Sequence, residues 1–332
     1  MRRPTLEEVA RSAGVSKMTA SRALRGAADV SQDSIAKVTL AAEQLGYVGN
    51  RLALSLSSQH TNLLSVVVPS MSNIVFPEVL AGITKGLEGS GMQAVFGISD
   101  YDPDKEREII RNMLSWRPSA IIVTGLDQPE DTKRLLKQAD IPVIQIMDLD
   151  GEPVDFAVGL SHGAAGEAMG EALIAAGRRR FGYIGSALEK DLRAVKRKAG
   201  FERALEAAGF HLLAQETAAD GSSTALGKAL TKRLLERFPT LDCLYYSNDD
   251  MAAGGLFACM EMQVKVPEVI LIAGFNGLDL ASALPVRIAT SASPRRQMGE
   301  SAARLALTAL REGREGLGRT IAFTPEITLG TE

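Results

Sequence analysis

The chain reads as a small all-α head followed by an α/β body of two doubly wound parallel sheets. Three observations carry this. Residues 5–46 hold short apolar stripes at helical spacing, with polar caps and a glycine at each turn. From Thr61 the pattern changes to short apolar runs alternating with amphipathic stretches, and that alternation restarts near residue 163. A length of 332 residues also exceeds what one small core needs and suggests two or three domains.

In the head, Leu6, Val9, Ala10 and Ala13 share one face of a first helix. The two alanines let a second helix approach closely. Gly14 suits a tight, left-handed turn, and Ser16 is a good N-cap for the second helix. Ala20, Ala23 and Leu24 continue the buried face, which leaves Lys17, Met18, Thr19, Ser21 and Arg22 pointing outward. A third helix begins at Val30-Ser31, buries Ile35, Val38, Ala42 and Leu45, and ends at Gly46. The second helix opens with polar and basic side chains that serve no core. This is the layout of a helix-turn-helix, whose second helix lies in the major groove. An ordinary helical hairpin with a solvated basic face accounts equally well for such a pattern taken alone.

In the body, strands are expected at 63–68, 93–98, 120–123 and 143–146, with helices at 76–88 and 105–114 and one more between the last two strands. The rhythm resumes with helix 163–176, strand 180–184, helices 195–208 and 224–237, strand 241–246, helix 250–261 and strand 269–273. Ligands in such folds bind beyond the carboxyl ends of the strands. Ser247-Asn248-Asp249-Asp250 follows a strand and opens a helix, and helix capping accounts for one of the Asp pair. Ser70, Ser72, Asn73 and Phe76 follow the first strand and could offer hydroxyl contacts and an apolar face to a sugar. Asp148 sits just past a strand, where it reaches a crevice or stays a solvated loop acid. Arg197 lies in a basic helix start, an ordinary place for a charge.

Composition excludes several classes. The chain is 45% hydrophobic and 23% charged, as globular domains are. No run approaches the ~18 apolar residues of a membrane span, and the start lacks the apolar stretch of a signal peptide. Cys243 and Cys259 are isolated and read as free thiols of a reducing cytosol. The net charge of −3 is uneven: the first sixty residues hold eight Lys and Arg against five Asp and Glu, and the remainder is acidic. A basic head on an acidic body fits nucleic-acid contact at one end. No enzyme constellation, metal spacing or cofactor motif emerges. Gly163-Ala-Ala-Gly166-Glu-Ala-Met-Gly170 lacks dinucleotide-binding spacing and fits close helix packing. Asp102, Asp104 and Glu106 fit a helix start.

Two stretches resemble the LacI/GalR family of bacterial repressors. The first is Thr5-Leu-x-x-Val9-Ala10-x-x-Ala13-Gly14-Val15-Ser16 with Thr19-x-Ser21-Arg22. The second, Gly46-Tyr47-Val48-Gly49-Asn50-Arg51-Leu52-Ala53-Leu54-Ser55-Leu56-Ser57, is similar to the family's hinge. Val15-Ser-Lys-Met-Thr19, Leu114-Ser115-Trp116 and Ser247-Asn248-Asp249-Asp250 are most similar to its gluconate-operon branch. The resemblance implies a head at 1–48, a hinge at 49–60 and an effector-binding, dimerising body at 61–332 with a fold like that of periplasmic sugar-binding proteins. One lobe would span about 61–160 and 292–321, the other about 161–291 and 322–332, with crossings near 159–163, 291–293 and 320–323. It assigns Lys17, Met18 and Arg22 to base edges, Ser16, Thr19 and Ser21 to phosphates, and Leu56 to a minor-groove wedge beside Asn50 in the hinge. A segment as short as 50–58 is marginal as a helix by itself. Met18 and Arg25 differ from the best-known members, so base preference does not transfer.

The same resemblance assigns Asn248 and Arg197, the latter through Arg197-x-Ala-Gly-Phe, to the effector. Where neutral-sugar members commonly carry Asp, this chain has Asn276, in Ala273-Gly-Phe-Asn-Gly277. Asp would repel an effector carboxylate and Asn tolerates it. The expectation is a homodimeric repressor on near-palindromic operator DNA, sensing gluconate or a ketogluconate. A neutral-sugar sensor, or a sugar-binding protein or enzyme with an accessory head, is the alternative.

Overall fold

Thr5 opens the first helix, α1 (Leu6–Ala13): its amide donates to the Glu8 carboxylate at 2.8 Å and its hydroxyl accepts the Glu8 amide, a reciprocal cap. Gly14 ends α1 with φ at 68°, a conformation that costs glycine nothing. In α2 (Lys17–Leu24), Ser16 Oγ accepts the Thr19 amide at 3.0 Å. Helix α3 (Gln32–Leu45) runs from Ser31 to Gly46. Val9, Ala10, Ala20, Ala23, Val38, Ala41 and Ala42 close the core between the three helices. Leu24 and Leu45 depart from expectation: each is 39% exposed. Both are the last residues of their helices, and the buried stripe ends at Ala23 and Ala42.

The computed structural model describes residues 2, 4–24, 27, 29–48 and 61–330. It divides into two units, Met1–Thr61 and Asn62–Glu332.

In the body, β1 (Leu63–Val68), β2 (Gln93–Ile98), β3 (Ala120–Thr124), β4 (Val143–Ile146), β5 (Phe156–Gly159) and β11 (Thr320–Ala322) form a six-stranded sheet in the order β11-β5-β4-β3-β1-β2. All neighbours are parallel. Alternate residues enter different cores. Leu64, Val66, Val68, Ile122 and Ile144 pack with α4 (Val75–Gly86) and α12 (Arg295–Glu312). Val67, Ile121, Val123 and Val143 pack with α5 (Pro103–Ser115) and α6 (Glu130–Gln138). Burial on both faces is why β1, β3 and β4 read as largely apolar runs, broken by Ser65, Thr124 and Gln145.

The second lobe holds a four-stranded parallel sheet of order β7-β6-β8-β9, made of β6 (Phe181–Ser186), β7 (Leu212–Ala218), β8 (Cys243–Tyr246) and β9 (Leu271–Ala273). Helices α7 (His162–Ala175) and α8 (Leu192–Ala207) pack together, as do α9 (Thr224–Arg237) and α10 (Asp249–Glu261). A short α11 (Asp279–Ala283) follows, and β10 (Thr290–Ala292) pairs antiparallel with β12 (Glu326–Thr328). Strand β7 was not anticipated: it is an edge strand that buries only Ala214 and Glu216.

The Gly163–Gly170 run serves helix packing. A Cβ at Gly166 would overlap the Arg197 carbonyl, and one at Gly200 would overlap the Gly163 carbonyl. This close approach of α7 to α8 brings His162 and Arg197 together. Among the described residues, no helix is long and apolar enough to cross a membrane, and both cysteines are buried and free.

Candidate DNA-reading helix and effector cavity

On the head, Ser16, Lys17 and Met18 are exposed, Met18 by 70%. Thr19, Ser21 and Arg22 are half-buried along the same helix. The Ser16 hydroxyl both caps α2 and meets Thr19 Oγ1 at 2.9 Å. Arg22 forms an ion pair with Asp29, and among the described residues Lys17 has a long contact with Glu7, 3.9 Å away. Asn50 and Leu56 lie outside the described residues.

In the body, a cavity of about 250 Å³ opens where strand ends of both sheets converge. From the first lobe it is lined by Ser70, Ser72, Asn73, Asp100 and Tyr101. From the second it is lined by Ser186, Lys190, Asp191, Ser222, Ser247, Asn248 and Asp250. Ser70 Oγ lies 3.0 Å from Ser72 Oγ and accepts the Ser72 and Asn73 amides, which fixes the loop after β1. Asn248 is the N-cap of α10, its Oδ1 accepting the Met251 amide at 3.0 Å. Capping therefore falls to Asn248, not to one of the aspartates. Asp249 is fully buried and accepts the Leu278 amide at 2.8 Å and the Thr290 hydroxyl at 2.7 Å. Burial pushes its pKa up to about 6 against those bonds.

Arg197, 6% exposed, lies behind the cavity wall. Its Nη2 donates to the Ser247 carbonyl at 2.9 Å, its Nη1 meets His162 Nδ1 at 2.9 Å, and its plane covers the Phe275 ring at 4.1 Å. His162 Nε2 lies 2.7 Å from the Met147 carbonyl. A carbonyl cannot donate, so the proton sits on Nε2 and Nδ1 accepts from the guanidinium. Burial, then the Arg197 charge, holds the His162 pKa well below the usual imidazole range. Arg197 Nε is buried without a partner.

The remaining expected residues lie elsewhere. Phe76 is buried beneath the Arg193 guanidinium, 5.5 Å from ring centre to Cζ. Asp148 does not line the cavity: it is fully buried and paired with Lys196 at 2.5 Å, and Lys196 also reaches Asp127 at 2.8 Å. Burial raises the Asp148 pKa, with the Lys196 bond opposing. Asn276 is 8% exposed and adopts φ 114°, rare for a residue with a Cβ. Its amide donates to Ser291, and its carbonyl accepts Ser293 N and Arg295 Nη1. Sequence reasoning passed over Tyr101, Lys190, Asp191 and Arg193. All follow strand ends, so the positional signal was available, but no motif marked them.

Comparison with known proteins agrees with this geometry. Residues 5–50 match the model of bacterial regulatory proteins of the lacI family. Residues 61–324 match the model of periplasmic binding proteins and the sugar-binding domain of the LacI family. The HTH-type transcriptional regulator GntR of Pseudomonas aeruginosa is 41% identical over 94% of this chain and 92% of its own. The GntR regulator of Escherichia coli is 34% identical over 93% of each. The crystal structure of a LacI-family transcriptional regulator from Silicibacter pomeroyi superposes with a TM-score of 0.93 at 44% identity, covering 98% of both chains. With a helix-turn-helix head and a two-sheet body like that of periplasmic binding proteins, the chain belongs to the LacI family of DNA-binding transcriptional repressors, in its GntR branch.

Proposed function

We propose that the protein is a cytoplasmic, dimeric repressor of sugar-acid metabolism whose effector, gluconate or a ketogluconate, occupies the cavity between the two sheets. The domain layout is a reading head at 1–48, a hinge at 49–60 and a sensing body at 61–332. The observation that carries the effector reading is the cavity wall. It is ringed by serine hydroxyls and by Asn73 and Asn248, suited to a polyhydroxy chain, and backed by Arg197, whose Nε has no partner. Asn276 does not line this cavity; in place of an acid it removes one negative charge from the second lobe.

On the DNA side, Lys17, Met18 and Arg22 read base edges of a near-palindromic operator. Ser16, Thr19 and Ser21 hold phosphates, and Asn50 and Leu56 belong to the hinge, Leu56 as the minor-groove wedge. The test is calorimetric titration of the full chain with gluconate, 2-ketogluconate, glucose and ribose, followed by operator gel shifts with each compound. A sugar acid binds best and changes operator affinity; preference for a neutral sugar overturns the effector reading and leaves the repressor standing.

A further inference from the structure

Arg197 is the residue that motif similarity singles out, yet most of its fork is committed to Ser247, His162 and the Phe275 face. Arg193, one turn earlier on α8, is placed differently. Its side chain is 12% exposed, and its one ion pair among the described residues is with Asp191, two positions before it, at 3.6 Å. That is longer than a charge-assisted hydrogen bond. A largely buried guanidinium held by so long a contact is costly, and a closer anion relieves that cost. The side chain crosses from the second lobe to stand over Phe76 of the first, so it meets whatever lies between them.

Arg193 borders a smaller cavity of about 100 Å³. Tyr101 and Lys190 line both this annex and the 250 Å³ cavity, so the two adjoin. The acids of the annex are already engaged. Asp102 caps α5, Asp127 pairs with Lys196, and Glu106 is hydrogen-bonded to Gln128. In the larger cavity Asp100 pairs with Lys105 and Asp191 caps α8, which leaves Asp250 to repel an anion. The guanidinium that a carboxylate can reach lies at the annex, on Arg193.

We infer that Arg193, with Lys190 beside it, receives the carboxylate of an open-chain polyhydroxy acid, whose hydroxyls lie along the serine-lined cavity against the wall that Arg197 holds. This makes Arg193 the residue that separates sugar acids from neutral polyols, and it rests on the sugar-acid reading above. The planar fork suits a carboxylate better than a point charge does.

The experiment is calorimetric titration of the full-length protein with D-gluconate and with D-glucitol, the same carbon chain without the carboxylate. Wild type, Arg193→Gln and Arg193→Lys are compared, with thermal melting confirming the fold. We expect Arg193→Gln to weaken gluconate roughly 10–100-fold while glucitol changes less than about threefold. Arg193→Lys recovers part of the gluconate affinity; should the Gln variant fail to fold, the Lys variant carries the test through its lowered gluconate-to-glucitol ratio. An unchanged ratio in the folded variants overturns the role of Arg193 and leaves the sugar-acid reading intact. A wild type that does not prefer gluconate overturns the sugar-acid reading itself, and this inference with it.

Discussion

Asp249 shows how an environment can run against a chain position. In sequence it is a polar residue at a helix start; in the fold it is a fully buried carboxylate with a pKa pushed up to about 6 by burial. The folded protein therefore holds this proton more tightly than the unfolded chain. Between about pH 4 and pH 6 folding takes up a proton, so this group's contribution to stability falls as pH rises through that window and stays low above it. We predict that Asp249→Asn flattens the decline, by on the order of 1–3 kcal/mol between about pH 4 and pH 7. Urea midpoints across that range check it, and parallel pH profiles in the two proteins would remove the account. On the head, Arg22→Ala is expected to lose about 1–3 kcal/mol of operator affinity and to relax base preference at one position per half-site. Gel shifts on single-base operator variants measure this; unchanged specificity would show that Arg22 serves only its ion pair with Asp29.

At the scale of elements, the paired helices set the site. Gly166 and Gly200 let α7 and α8 approach until backbone touches side-chain positions, and that spacing seats His162 against Arg197. Gly166→Val is expected to cost roughly 1–3 kcal/mol or more and to reduce effector response while operator binding persists, as melting and gel shifts together would report. Strands β1, β3 and β4 were legible because burial on both faces makes them largely apolar. Strand β7, with a polar face at a sheet edge, the four-residue β5 and the three-residue strands β10 to β12 fell below what a periodicity window resolves. Ser70, Ser72, Asn73 and Asn248 were legible because each directly follows an apolar run. Asp148 was not, because no local pattern foretells that Lys196, on another element, claims it. Arg193 was hidden for the converse reason: it reads as one charge in a basic helix start, and its contact with Phe76 comes from a residue more than a hundred positions away.

Across the whole body, the two lobes are joined by charges as well as by chain. Lys196 of the second lobe pairs with Asp148 and Asp127 of the first, and Arg295 ties Glu78 of the first at 3.0 Å to the Asn276 carbonyl of the second. The first of these links reaches the annex through Asp127, so it biases how readily the lobes meet around a ligand. Asp148 is fully buried, and its charge depends on the Lys196 ammonium for compensation. Removing one partner of such a pair strands the other, which typically costs about 3–5 kcal/mol, whereas removing both costs far less. We predict that Lys196→Met is strongly destabilising, that Asp148→Asn is less so, and that the double variant is more stable than Lys196→Met alone. Because a ligand that needs the lobes together must then supply what the latch did, the apparent effector affinity of the double variant should fall by the fraction of body no longer poised. Urea unfolding gives the coupling energy from the double-mutant cycle, and calorimetry on the same proteins gives the affinity. Additive stabilities would mean that Lys196 and Asp148 do not depend on each other; coupled stabilities with unchanged effector affinity would mean that the pair holds the fold without governing the meeting of the lobes.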